Sequence, residues 1–154
     1  MWQGIVHAIG ITAKEGDAIQ QVRQVRAIPG KGLEGDRYFK KFQVQPDSYH
    51  PSREITLIEV EALEAMAREN EIELEPINSR RNVVTQGVPL NHLVGKEFQV
   101  GRVRLKGVKL CEPCTTLEGL TQKGVIGGLV HRGGLRAQIL TEGIIQVGDP
   151  VKPA

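Results

Sequence analysis

The chain has 154 residues and a mass of 16.9 kDa, the size of a single domain, and its 40% hydrophobic and 25% charged residues exclude collagen-like, coiled-coil and disordered classes. Twenty Lys and Arg against eighteen Asp and Glu leave a net charge of +2, with bases interleaved among acids, so nucleic acid is not an expected partner. No apolar run approaches the ~18 residues of a membrane span, and the start lacks a basic n-region and a small-residue cleavage site; the expectation is a cytoplasmic protein with no membrane partner.

In chain order, Ile5, His7, Ile9 and Ile11 alternate with Val6, Ala8 and Thr12, the signature of a first strand. Residues 19–28 are rich in β-branched side chains and read as strand. The segment Pro29-Gly30-Lys31-Gly32-Leu33-Glu34-Gly35-Asp36-Arg37 is a loop with unusual backbone demands, and Tyr38 to Ser52, polar and Pro-bearing, reads as irregular and exposed. Ile55 to Ile58 then form a strand feeding a helix from near Glu59. In that helix Val60, Leu63 and Ala67 recur on one face, and Pro76 limits its length.

Beyond Arg80 the pattern is β. Phe98 and Val100, Val103 and Leu105, and Val108 and Leu110 form alternations broken at Gly101 and Gly107. Leu135, Ala137 and Ile139 make a further strand, and Ile144 to Val147 the last. Strands separated by glycine turns, with one helix alongside, give a mainly β single domain over residues 1–154, a barrel or a sandwich.

The chemistry-bearing features are few. Cys111-Glu112-Pro113-Cys114 can share a metal, form a disulfide or supply one activated thiolate. A closed zinc site is disfavoured because no second Cys pair exists and the four histidines show no helical pairing. A dithiol oxidoreductase is disfavoured too, because Thr115 to Gly119 is a poor helix start; two buried small hydrophobes are the plain alternative. In Arg80-Arg81-Asn82, alternation on a strand would aim the two guanidinium forks, suited to phosphate or carboxylate, at opposite faces. Gly35, Asp36 and Arg37 close a loop whose backbone N–H groups and cation suit an anion, without the spacing of a P-loop. His131-Arg132-Gly133-Gly134 is a second basic, glycine-rich corner.

Taken in order, Gly32 to Arg37, Arg80 to Val84 with Gly87-Val88 and Leu90-Asn91, Gly95 to Gly101, Cys111 to Cys114, and Gly143 to Val151 resemble the MOSC domain family, domains related to the C-terminal part of molybdenum cofactor sulfurases. The resemblance implies a strand-rich, barrel-like fold with a few helices and binding of molybdenum cofactor, a pterin dithiolene bearing a phosphate; molybdenum ion and pyridoxal phosphate binding are further family-level labels. In amidoxime-reducing relatives with a C-x-x-C motif, the second cysteine matches the metal ligand, which is Cys114 here. Gly35, Asp36, Arg37, Arg80, Arg81, Asn82, Cys111 and Arg132 are the corresponding cofactor-binding candidates. Larger members add an N-terminal barrel or fused redox domains. This chain is expected to stand alone, taking electrons or sulfur from a separate donor protein, with the part of the pterin site that the extra domain supplies either absent or replaced by a second subunit. Two activities follow from the resemblance: reduction of N-hydroxylated compounds, and carriage of sulfur as a Cys114 persulfide.

Overall fold

The computed structural model describes all residues from Met1 to Ala154. Seven strands close into a mixed barrel: β1 (Gly4–Ile11), β5 (Ile55–Glu59), β6 (Val83–Gln86), β7 (Glu97–Val100), β8 (Val103–Leu110), β9 (Leu135–Ile139) and β11 (Pro150–Pro153). Their order is β11-β7-β8-β9-β5-β6-β1, and β1 pairs again with β11 to remove the edges. Strand β2 (Gln20–Val22) extends the sheet beside β1, while β3 (Gln24–Ile28), β4 (Gly32–Leu33) and β10 (Gly143–Gln146) form a small second sheet. All ladders are antiparallel except β5–β6, whose crossover carries the helix α2 (Val60–Asn70).

Two apolar clusters follow from strand alternation. Inward residues such as Ile9, Leu57, Val83, Phe98, Leu105, Leu135 and Val151 fill the barrel. On its outer face Ala8, Ile58 and Val84 pack under α2, α3 (Thr115–Leu120) and α4 (Val125–Leu129), meeting Leu63, Met66, Leu117 and Leu129. Burial of this second cluster, more than helix propensity, holds α3 and α4, which contain one and two glycines respectively.

The strands expected from alternation all form, and the helix starts at Val60 as the apolar spacing predicts. Five local expectations fail. Ile144 to Val147 is not the last strand, because β11 follows it and closes the barrel between β7 and β1. Tyr38 to Ser52 is not irregular: it contains most of α1 (Arg37–Val44) and two short 3-10 turns, because Phe42 is buried between Tyr38 and Tyr49. Gly107 does not end a strand but sits at a bulge within β8, where the backbone of Leu93 and Val94 approaches too closely for a Cβ. Thr115 to Gly119 does start a helix, with Cys114 as its N-cap. Arg80 precedes the strand and has φ 63°, so strand alternation does not apply to the arginine pair.

Candidate functional site

Two residues along from the helix-covered row Ala8–Val84–Ile58, the same outer face turns polar. β1 supplies Gly10, the residue before β6 is Asn82, β5 supplies Thr56, and Thr56 is in register with Arg136 of β9. Asn82 ties this row together. Its backbone carbonyl accepts from the Gly10 N–H (2.7 Å), its side-chain amide donates to the Gly10 carbonyl (3.2 Å), and its Oδ1 accepts from the Thr56 N–H (3.0 Å). The row floors a narrow cleft of about 50 Å³, also lined by Thr12, Ile19, Asp36, Arg37, Tyr38, Arg80, Arg81 and Cys111.

Four arginines therefore converge on one cleft, and they are used differently. Arg81 is buried and already spent: Nε donates to the Gly133 carbonyl (2.8 Å) and Nη2 to the Cys111 carbonyl (3.1 Å). Burial lowers its pKa, opposed by the nearby thiols of Cys111 and Cys114, so this guanidinium lies within electrostatic range of both cysteines. Arg80 is the opposite case. Its pKa is lowered first by burial and then by the charge of Arg37, and its Nη2 is buried with no hydrogen-bond partner. A buried donor left unpaired costs about 1–3 kcal/mol, and the left-handed backbone at Arg80 adds strain. Asp36 is the one carboxylate among them. It is buried, its Oδ1 accepts from the Thr12 N–H (2.9 Å), and burial raises its pKa against the effect of that bond and of Arg37.

The sequence candidates divide accordingly. Asp36, Arg37, Arg80, Arg81, Asn82 and Cys111 come together in the cleft. Gly35, with φ 91°, turns the chain ahead of Asp36 but is not part of the wall. Arg132 is elsewhere, donating to the Gly128 carbonyl (2.9 Å), Glu69 (3.0 Å) and Asn70 (3.4 Å), so it closes the α2–α4 contact. Cys111 is 1% exposed, whereas Cys114, three residues on, is exposed and does not line the cleft. The motif is pinned from the 131–134 corner. Glu112 accepts from the His131 backbone N–H (2.7 Å) and bonds its ring Nδ1 (2.8 Å), while Gly133 touches Cys111 and Pro113 where a Cβ would clash.

Sequence reasoning missed Thr12, Thr56 and Arg136, whose role depends on register across three strands. The signal for Arg136 was a cation on the outward face of a strand whose inward face is wholly apolar. No three His, Cys, Asp or Glu side chains gather to cage a metal. No lysine lines the cleft, so nothing in it would form the Schiff base on which pyridoxal phosphate chemistry depends. No helix is long and apolar enough to cross a membrane.

A closed barrel with an arginine-rich outer cleft and a C-x-x-C motif beside it defines the class, and comparison places the chain within it. The MOSC domain model matches residues 45–152, and the chain belongs to the MOSC domain family. Its fold is similar to that of the YuaD protein from Bacillus subtilis, with TM-score 0.81 and 17% identity over 98% of this chain and 97% of that one. It is also similar to YiiM from Geobacillus stearothermophilus, with TM-score 0.72 and 14% identity over 99% and 75% of the two chains. YiiM from Escherichia coli gives TM-score 0.68 and 18% identity over 100% and 70%. No curated protein matches the chain in sequence.

Proposed function

We propose that this protein binds molybdenum cofactor, with the cofactor's phosphate in the arginine cleft and Cys114 as the thiolate ligand to the metal. The observation that carries the reading is the orphaned Nη2 of Arg80, buried in a cleft of surplus cations. A space of about 50 Å³ takes a tetrahedral anion and leaves the pterin body outside it, on the surface shared with the cysteine motif. Arg80 and Arg37 would hold the anion, Arg81 would fix the carbonyls of Gly133 and Cys111, and the pinned Glu112 would set where Cys114 stands. When bound, the cofactor supplies two-electron redox chemistry suited to reducing an N-hydroxylated compound to the amine and water; the electrons come from a separate donor protein.

The exposure of Cys114 favours one second reading, a carrier that accepts sulfur from a donor protein as a persulfide on this thiol. Expression in a host that makes the cofactor tests both. Wild type should carry molybdenum and pterin, Cys114→Ser should lose the molybdenum, and Cys111→Ser should have the smaller effect on metal content. Equal molybdenum in wild type and Cys114→Ser overturns the ligand assignment. Sulfane sulfur on Cys114 without molybdenum selects the carrier.

A further inference from the structure

A second, larger cavity of about 350 Å³ opens beside the cleft, between the turn after β1 and helix α1. It is lined by Lys14, Lys40, Lys41 and Arg37 against one carboxylate, Glu15, with Tyr38 and Val44 as its main apolar surface. None of the four cations is in an ion pair. This local excess is larger than the net charge of +2 carried by the whole chain, so charge is concentrated here and not merely sampled from the surface.

The two cavities share a wall. Arg37 and Tyr38 belong to the lining of both, and the chain that separates them, Thr12 to Glu15, is tied down by the Thr12 N–H on Asp36 and the Arg37 N–H on the Thr12 carbonyl (2.7 Å). The Arg37 guanidinium lies 4.7 Å from the Tyr38 ring centroid, and Tyr38 stacks on Phe42, which packs edge-on against Tyr49. Tyr38 thus has Arg37 over its ring and Phe42 stacked against it, and the guanidinium it supports stands beside lysines without ion pairs, next to the cleft lined by Arg80. A cavity of this volume is in the range of small-ligand sites.

We propose that the lysine-lined cavity is a second anion subsite, taking the phosphorylated, ring-bearing part of a nucleotide-sized ligand whose other anionic group lies on Arg80. The inference rests on the cleft being an anion site, and it adds the class of molecule that fills the remaining space. The lysines attract phosphate as mobile point charges, and the Arg37 guanidinium, laid over the Tyr38 ring, is the planar group that a flat ring would stack on while its N–H groups serve the anions.

Calorimetric titration of cofactor-free protein with ADP, adenosine and inorganic pyrophosphate tests it. ADP should bind at least tenfold more tightly than either half-probe. Lys40→Gln/Lys41→Gln, exposed positions whose replacement preserves helix propensity, should weaken ADP about tenfold and leave inorganic phosphate within about twofold. Lys152→Gln, on β11, is the charge control and should change nothing. ADP affinity unchanged in the lysine pair, or no tighter than pyrophosphate, overturns the second subsite. Failure of the underlying cleft reading looks different: Arg80→Ala would then leave inorganic phosphate binding unchanged.

Discussion

Arg37 and Arg132 each stand in a basic, glycine-bearing corner beside a helix, yet only one of them faces the cleft. Arg37, at the start of α1, has Tyr38 as its hydrogen-bond partner (3.3 Å) and borders two cavities. Arg132 is saturated by a carbonyl, a carboxylate and an amide, and what it joins is α2 to α4. The same division separates Arg80 from Arg81, neighbours in sequence. A cation whose donors are filled by its own chain holds the fold, and a cation kept buried and unfilled is held for something else.

Breaking the filled side of this comparison should have the largest effect. Arg81→Ala strands the carbonyls of Gly133 and Cys111, and at about 1–3 kcal/mol for each unpaired buried group it should cost about 2–6 kcal/mol of stability. Urea denaturation measures this; a loss under about 1 kcal/mol would show that Arg81 does not brace the cysteine motif. Arg80→Ala should do the reverse. It removes an unpaired donor and a like charge facing Arg37, so stability should hold or rise, while occupancy by the phosphate-bearing cofactor should fall roughly tenfold to a hundredfold. Arg80→Lys should recover part of that loss, because it restores charge without the fork.

Much of this was legible in the sequence, and the limit lies in register. Alternation marked the barrel strands and the spacing of Val60, Leu63 and Ala67 marked α2, since each needs only one face of one element. Arg37, Arg80, Arg81 and Cys111 could be named from the chain because the family pattern keeps them in order. What could not be read was the row Gly10–Asn82–Thr56–Arg136, which depends on how three ladders line up. Nor could α3 and α4 be seen, since their burial against Ala8, Ile58 and Val84 outweighs a poor helix composition. Arg132 was misjudged for the related reason that a sequence shows a charge but not the Glu69 and Asn70 that absorb it.

A carboxylate anchors each corner, the exposed Glu112 at His131 and the buried Glu54 at Gly30. Glu54, 1% exposed, accepts from the Gly30 and Ile139 N–H groups at 3.1 and 3.3 Å and from the Tyr49 hydroxyl, whose pKa is pushed up to about 12 by burial and by this carboxylate. Burial raises the Glu54 pKa above the ordinary 4.5, despite those bonds. The folded protein therefore binds this proton more tightly than the unfolded chain does. The contribution is fully present below the unfolded pKa and is lost as pH rises through the folded value. Melting temperatures of wild type minus Glu54→Gln should thus fall as pH is raised from 4 toward 7; a flat or rising difference would mean the buried carboxylate is stabilised by its three donors more than burial opposes it.

The smallest effect belongs to Arg132. Its bonds to Glu69 and Asn70 are solvent-exposed, where ion pairs contribute little, and the capped Gly128 carbonyl is the one contact nearer the core. Arg132→Ala should lower the melting temperature by only about 1–3 °C. It should also leave molybdenum and pterin content at the wild-type level, because its guanidinium is committed to the α2–α4 contact and takes no part in the cleft wall. The informative comparison is with Arg37→Ala in the same preparation: Arg37 makes no salt bridge, so its loss should hardly change melting yet should reduce cofactor retention. If the two variants lost cofactor equally, the distinction between filled and unfilled arginines would not decide which corner meets the ligand, and the anion would have to reach the face where Arg132 joins α2.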